Sequence, residues 1–94
     1  MPLYAVEYTY SDDASARDEH RPAHREFLGA LAQEGTVRLS GPLEGEPAAA
    51  LIAIEGDSVE SVRQLLGEDP FQQQGLVTAV TVRAWTPVLG DWLP

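Results

Sequence analysis

Alternation of apolar and polar side chains marks four stretches of the chain as strands. Leu3–Tyr10 (LYAVEYTY) alternates loosely and is rich in Tyr, Val and Thr, the residue types that fit a pleated surface. Thr36–Leu43 (TVRLSGPL) reads as a second strand that runs into a Gly-Pro turn at Gly41-Pro42. Ala49–Glu55 (AALIAIE) is nearly all apolar, as expected of a strand covered on both faces, and Val77–Trp85 (VTAVTVRAW) alternates again. Helical periodicity fills the intervals. Between Ala14 and Gln33, Phe27, Leu28 and Leu31 recur at three- and four-residue spacing; Ser11, Asp12 and Asp13 supply candidate caps and Gly35 a stop. Pro22 inside this segment predicts either a kink or a fresh helix start. Val59, Val62, Leu65 and Leu66 mark a second amphipathic helix, opened by a capping-box-like Asp57 and Glu60 and stopped by Gly67. Asp69-Pro70 opens a short helical turn closed by Gly75. The tail TPVLGDWLP, with two prolines and Trp92, reads as extended or irregular.

The predicted order is β-α-β-β-α-β. Right-handed crossovers on that order give a ferredoxin-like α+β fold, a four-stranded antiparallel sheet with both helices on one face. The third and fourth strands carry apolar residues on both sides, so the bare face also needs a cover. A second copy supplies it, which predicts a homodimer of the dimeric α/β-barrel kind, packed sheet to sheet. The 94 residues suit one domain, 1–94, with 86–94 as a C-terminal tail.

Composition narrows the chemistry. There is no cysteine, which removes a disulfide scaffold, a Cys-ligated metal and a thiol nucleophile. Fifteen acidic residues against six arginines give a net charge of −9, the wrong sign for nucleic acid or an anionic membrane. With no lysine, Schiff-base chemistry is also excluded. No apolar run approaches the roughly 20 residues of a membrane span, and the start MPLYAVEYTYSDD lacks the basic region of a signal peptide, so the expected location is the cytoplasm.

The first helix carries the most informative stripe. Arg17, Arg21, His24, Leu28 and Leu31 share one face, which is apolar toward its C-terminal half and basic toward its N-terminal half. A face that points at the core yet turns polar suggests a pocket at the sheet edge, with His24 at its floor and arginines at its rim. Imidazole moves protons near neutral pH, and the arginines suit a carboxylate, phenolate or enolate. The structural alternatives are a His24 bonded to a backbone carbonyl and arginines paired with Asp13, Asp18 or Glu19. His20 lies off the stripe, toward solvent. Asp69 reads first as a helix cap ahead of Pro70 and second as a carboxylate that orients His24; its lone pairs allow both. Ser40 is either a turn serine or a pocket donor, and Tyr8 and Tyr10 either line a cavity or fill a dimer core. His20 and His24 stand at zinc-ligand spacing but lack the HExxH context, so no metal is expected. GxGxxG, P-loop and nucleophile-elbow motifs are absent.

The ordered set Arg17, Arg21-Pro22-Ala23-His24, Leu28, Glu34-Gly35, Gly41-Pro42 and Asp69-Pro70-Phe71 resembles the YciI-like (YCII-related) family, from Leu3 to about Trp85. The resemblance implies the dimeric α/β-barrel fold and a pocket holding a His and an Asp, which correspond to His24 and Asp69. The family includes a dehydrochlorinase of a chlorinated hydroxyaromatic, which implies proton chemistry without a cofactor. The EGEP loop between strands two and three is shorter than in many relatives. The expected substrate contacts are Arg17, Arg21, Ser40, Gly41, Pro42 and Phe71. The leading expectation is a small lyase- or isomerase-type enzyme acting on an anionic or aromatic small molecule. The alternative is a ligand-binding or pathway-accessory dimer that uses the same pocket without chemistry, and a third reading is a purely structural dimer.

Overall fold

Alternation along β1 (Leu3–Tyr10) sends Tyr4, Val6 and Tyr8 to one face, where all three are buried. β1 is central, and antiparallel pairing carries that face sideways. Opposite it on one flank stand Ile54, Ile52 and Ala50 of β3 (Ala49–Glu55). On the other stand Ala84, Val82 and Val80 of β4 (Val77–Trp85). β2 (Val37–Leu43) adds to the outer edge of β3, giving the order β2-β3-β1-β4. This is the predicted ferredoxin-like sheet. The computed structural model describes residues 2–91.

Both long helices cover the Tyr4–Val6–Tyr8 face. Leu28 of α1 (Ala14–Gln33) and Val62 and Leu66 of α2 (Val59–Leu66) join those strand residues in one buried cluster. α1 is a single helix through Pro22, not divided there. Its lost backbone bond is outweighed by the packing of His24 and Leu28, both buried, two and six positions further on. The helix ends in a Schellman arrangement: Gly35, at φ 87°, donates to Ala32, and Thr36 donates to Leu31. Thr36 therefore completes the helix end, and β2 begins one residue later than expected.

Two local expectations are corrected. Ser40, Gly41 and Pro42 do not form a turn; they lie inside β2, paired with Ile52, Leu51 and Ala50. β2 is an edge strand, where a proline without its N–H is tolerated, so the Gly-Pro signal misleads. α2 is capped by Ser58 and not by Asp57. The extended Ser58 exchanges hydrogen bonds of 3.0 Å with Ser61 in a reciprocal box, so Glu60 has no part in it.

The opposite sheet face is open. Leu39, Leu43, Leu51 and Trp85 all project from it and are between 38% and 51% exposed. β3 is thus covered on one face only within a single chain. Tyr8 and Tyr10 lie on the helix-covered side and have no place in a dimer core. Beyond Trp85, residues 86–91 form no strand or helix, and Trp92 falls outside the described residues. Among those residues, no helix is long and apolar enough to cross a membrane.

Candidate functional site

The short helix α3 (Pro70–Gln73) builds most of the site. Asp69 caps it in an extended conformation, and its Oδ1 accepts from the Phe71 N–H at 2.9 Å. The fixed φ of Pro70 at the first helical position starts the turn. A solvent-exposed cap would end its role there. Asp69, however, is fully buried, and its carboxylate faces the imidazole carried by α1. His24 Nδ1 stands 2.9 Å from both Oδ1 and Oδ2. Tyr8, arriving from β1, donates its O–H to Oδ2 at 2.9 Å, and Gln72 donates to the Tyr8 oxygen at 3.3 Å. Cap and orienting carboxylate are therefore one residue, as its lone pairs permit.

Since the carboxylate accepts, Nδ1 of neutral His24 carries the proton and Nε2 the free lone pair. Nε2 makes no hydrogen bond among the described residues and is not a buried orphan, so it opens onto the adjoining cavity. The imidazole plane is set by Phe71, whose ring stacks on it at a centroid distance of 3.9 Å and an interplanar angle of 4°. Tyr10 meets the Phe71 ring edge-on at 5.4 Å. Burial pushes the Tyr8 phenol far above the ordinary tyrosine range; the neighbouring Asp69 charge adds to this and the Gln72 hydrogen bond opposes it. Burial also raises Tyr10, again with a contribution from Asp69.

The cavity holds about 690 Å³ between the C-terminal two-thirds of α1, from Arg21 to Ala32, and the β2 edge. Its floor is His24, Phe71 and Tyr10. Its apolar walls include Leu28, Val37 and Ala50, and its rim carries Arg21, Arg25 and Arg38. The expected contacts Ser40, Gly41, Pro42, Phe71 and Arg21 all line it. Arg17 does not: its guanidinium donates to the Ser11 carbonyl and lies 5.7 Å from the centroid of Tyr10, bracing the floor from behind. Arg21 also pairs with Asp18, so the surface ion pair and the cavity position hold together. His20 is half-buried, 3.9 Å from Glu19, and does not converge with His24.

Sequence reasoning missed Arg25 and Arg38. Arg25 follows His24 directly and falls outside the three-and-four spacing that defined the stripe. Arg38 is the second residue of β2, where strand alternation carries no sign of a cavity, and it reaches Glu55 at 2.6 Å. The tyrosine contact to Asp69 spans 61 positions and leaves no local signal.

Comparison with known proteins agrees with this architecture. The family model of the YCII-related domain matches residues 1–86. A protein of Emericella nidulans, derivative of benzaldehyde biosynthesis cluster protein C, is 32% identical over 72% of this chain and 80% of its own. Among solved structures, a 5-chloro-2-hydroxyhydroquinone dehydrochlorinase from Burkholderia phenoliruptrix, in complex with 2,5-dihydroxybenzoquinone, superposes with a TM-score of 0.78. It is 22% identical, over 89% of this chain and 93% of that one. Muconolactone isomerase superposes with a TM-score of 0.67 at 19% identity, over 98% and 96% of the two chains.

Proposed function

The chain belongs to the YCII-related domain family, and we propose that it is a small-molecule enzyme of the lyase or isomerase type, working by proton transfer without a cofactor. The observation that carries this reading is the buried His24–Asp69 pair whose free Nε2 opens onto the cavity. Nε2 takes a proton from an acidic C–H or O–H of the substrate. Asp69 offsets the charge of the resulting imidazolium, and the same nitrogen returns the proton to a second substrate atom (isomerisation). In elimination the C–X bond breaks as the new double bond forms, the leaving anion takes the bonding pair, and Nε2 passes its proton to that anion or to water. Positioned acid–base groups of this kind contribute about 10²–10⁴-fold.

The substrate class follows from the walls. An apolar slot ending in a guanidinium rim suits a small, flat, anionic molecule such as a hydroxyaromatic or an unsaturated acid. Arg21 and Arg25 hold its charge above His24. The dehydrochlorinase and the isomerase that share the fold support the reaction class. The working unit is a homodimer packed through the open sheet face, an arrangement supported by the four exposed apolar residues there.

The test is His24→Ala against the wild type on a panel of hydroxyaromatic and unsaturated acids. The wild type turns over at least one of them, and the variant binds it but forms no product. Equal turnover by a folded His24→Ala variant overturns the reading.

A further inference from the structure

Tyr8 is buried in the core cluster, yet its hydroxyl is committed to the site. It donates to Asp69 Oδ2, the oxygen that also faces His24 Nδ1, and it receives the Gln72 amide on its own oxygen. We infer that Tyr8 is a positioning residue which, backed by Gln72, fixes the Asp69 carboxylate and sets how strongly that carboxylate favours the His24 imidazolium. The chain runs in one direction, Gln72 N–H to Tyr8 oxygen, then Tyr8 O–H to Asp69.

The sign follows from charge sharing. A hydrogen bond donated to a carboxylate draws electron density toward the donor and leaves less for a second partner. With the Tyr8 O–H in place, Asp69 holds the imidazolium less tightly than a bare carboxylate does. Without it, the full charge falls to His24 and the imidazolium is favoured. The Gln72 amide, donating to Tyr8, makes the phenol a better donor and works in the same direction as Tyr8 itself. The Phe71 N–H anchors Oδ1, so the carboxylate keeps its place when Oδ2 loses a donor.

The other charged and titratable groups around the cavity are Tyr10 from β1, Arg21 and Arg25 from α1, and Arg38 from β2. None of them bonds to Asp69 among the described residues; apart from His24, the carboxylate's partners there are the Tyr8 O–H and the Phe71 N–H, and of these two only Tyr8 brings a side chain that a substitution can remove. The inference rests on His24 being the proton carrier. Its test observes the imidazole directly and needs no substrate, so it can fail while the enzymatic reading stands, and the reverse.

The experiment is a ring-nitrogen and ring-proton NMR titration of His24, assigned against His20→Asn, the chain having only two histidines. In Tyr8→Phe the His24 midpoint rises by roughly half a pH unit to one unit. In an Asp69→Asn background, which keeps a capping side chain, Tyr8→Phe shifts it no further. Should Tyr8→Phe fail to fold, Gln72→Leu at a half-buried position gives a smaller shift in the same direction. An unmoved midpoint in the folded variant, or an equal shift with and without the Asp69 carboxylate, overturns the inference.

Discussion

The rings of His24 and Phe71 lie parallel, with 3.9 Å between centroids and 4° between planes. Phe71 also supplies the backbone N–H that holds Asp69, so one residue fixes both the imidazole plane and the carboxylate beside it. Phe71→Leu leaves the N–H and removes the flat surface. We expect a loss of about 1 kcal/mol of stability, a fall in Tm of roughly 4–8 °C, and a larger loss in turnover than in substrate binding. Thermal unfolding and steady-state kinetics on the same variant check the two effects; binding and turnover reduced in equal measure contradict the orienting role.

Tyr8 and Tyr10 give the fold a limit at high pH. Both phenols are raised above the ordinary value of 10.0, chiefly by burial. In the unfolded chain they ionise near that ordinary value, whereas in the folded protein they stay protonated. Their contribution is thus complete below about pH 10 and is lost as pH rises beyond it. The steepest part of the loss for Tyr8 is about 1.4 kcal/mol per pH unit. Tm measured across this range falls in the wild type and falls less steeply in Tyr8→Phe; parallel profiles contradict the assignment.

The open sheet face predicts the assembly. Leu51 stands opposite Glu7 in the register, beside the exposed Leu39 and Leu43 of the edge strand. A second copy laid on this face removes all of them from water. Wild-type protein at micromolar concentration sediments at twice the chain mass of 10.2 kDa, and Leu51→Asp sediments at the chain mass. A monomeric wild type contradicts the sheet-to-sheet pairing.

Much of this architecture is legible along the chain because its signals are local. The alternation of Leu3–Tyr10 and Val77–Trp85, the apolar run Ala49–Glu55 and the Gly35 stop each report a neighbourhood of a few residues, and each element stands where its pattern predicts. Ser40-Gly41-Pro42 misleads for the same reason: turn chemistry is local, whereas edge position in a sheet is decided by pairing elsewhere in the chain. Ser58 displaces Asp57 as the cap because its backbone is the extended one. The site is less legible than the fold. His24 is visible where a helix stripe turns from basic (Arg17, Arg21) to apolar (Leu28, Leu31), and Asp69 is visible as a cap. Their contact joins positions 45 apart, so no spacing rule reports it: the residues offer it only as a second reading of Asp69, and the family resemblance is what favours it. Arg25 and Arg38 come to the rim through tertiary placement, which no spacing rule reports.

The central claim is that His24 Nε2 moves protons on a bound small molecule. Its most direct measurement is solvent-deuterium incorporation into small acidic phenols and enol-forming acids, followed by proton NMR with wild-type protein and with His24→Gln. The wild type is expected to exchange at least one substrate proton about 10²-fold or more faster than the variant, with both proteins folded and both binding the compound. Equal exchange rates in the two proteins contradict the account.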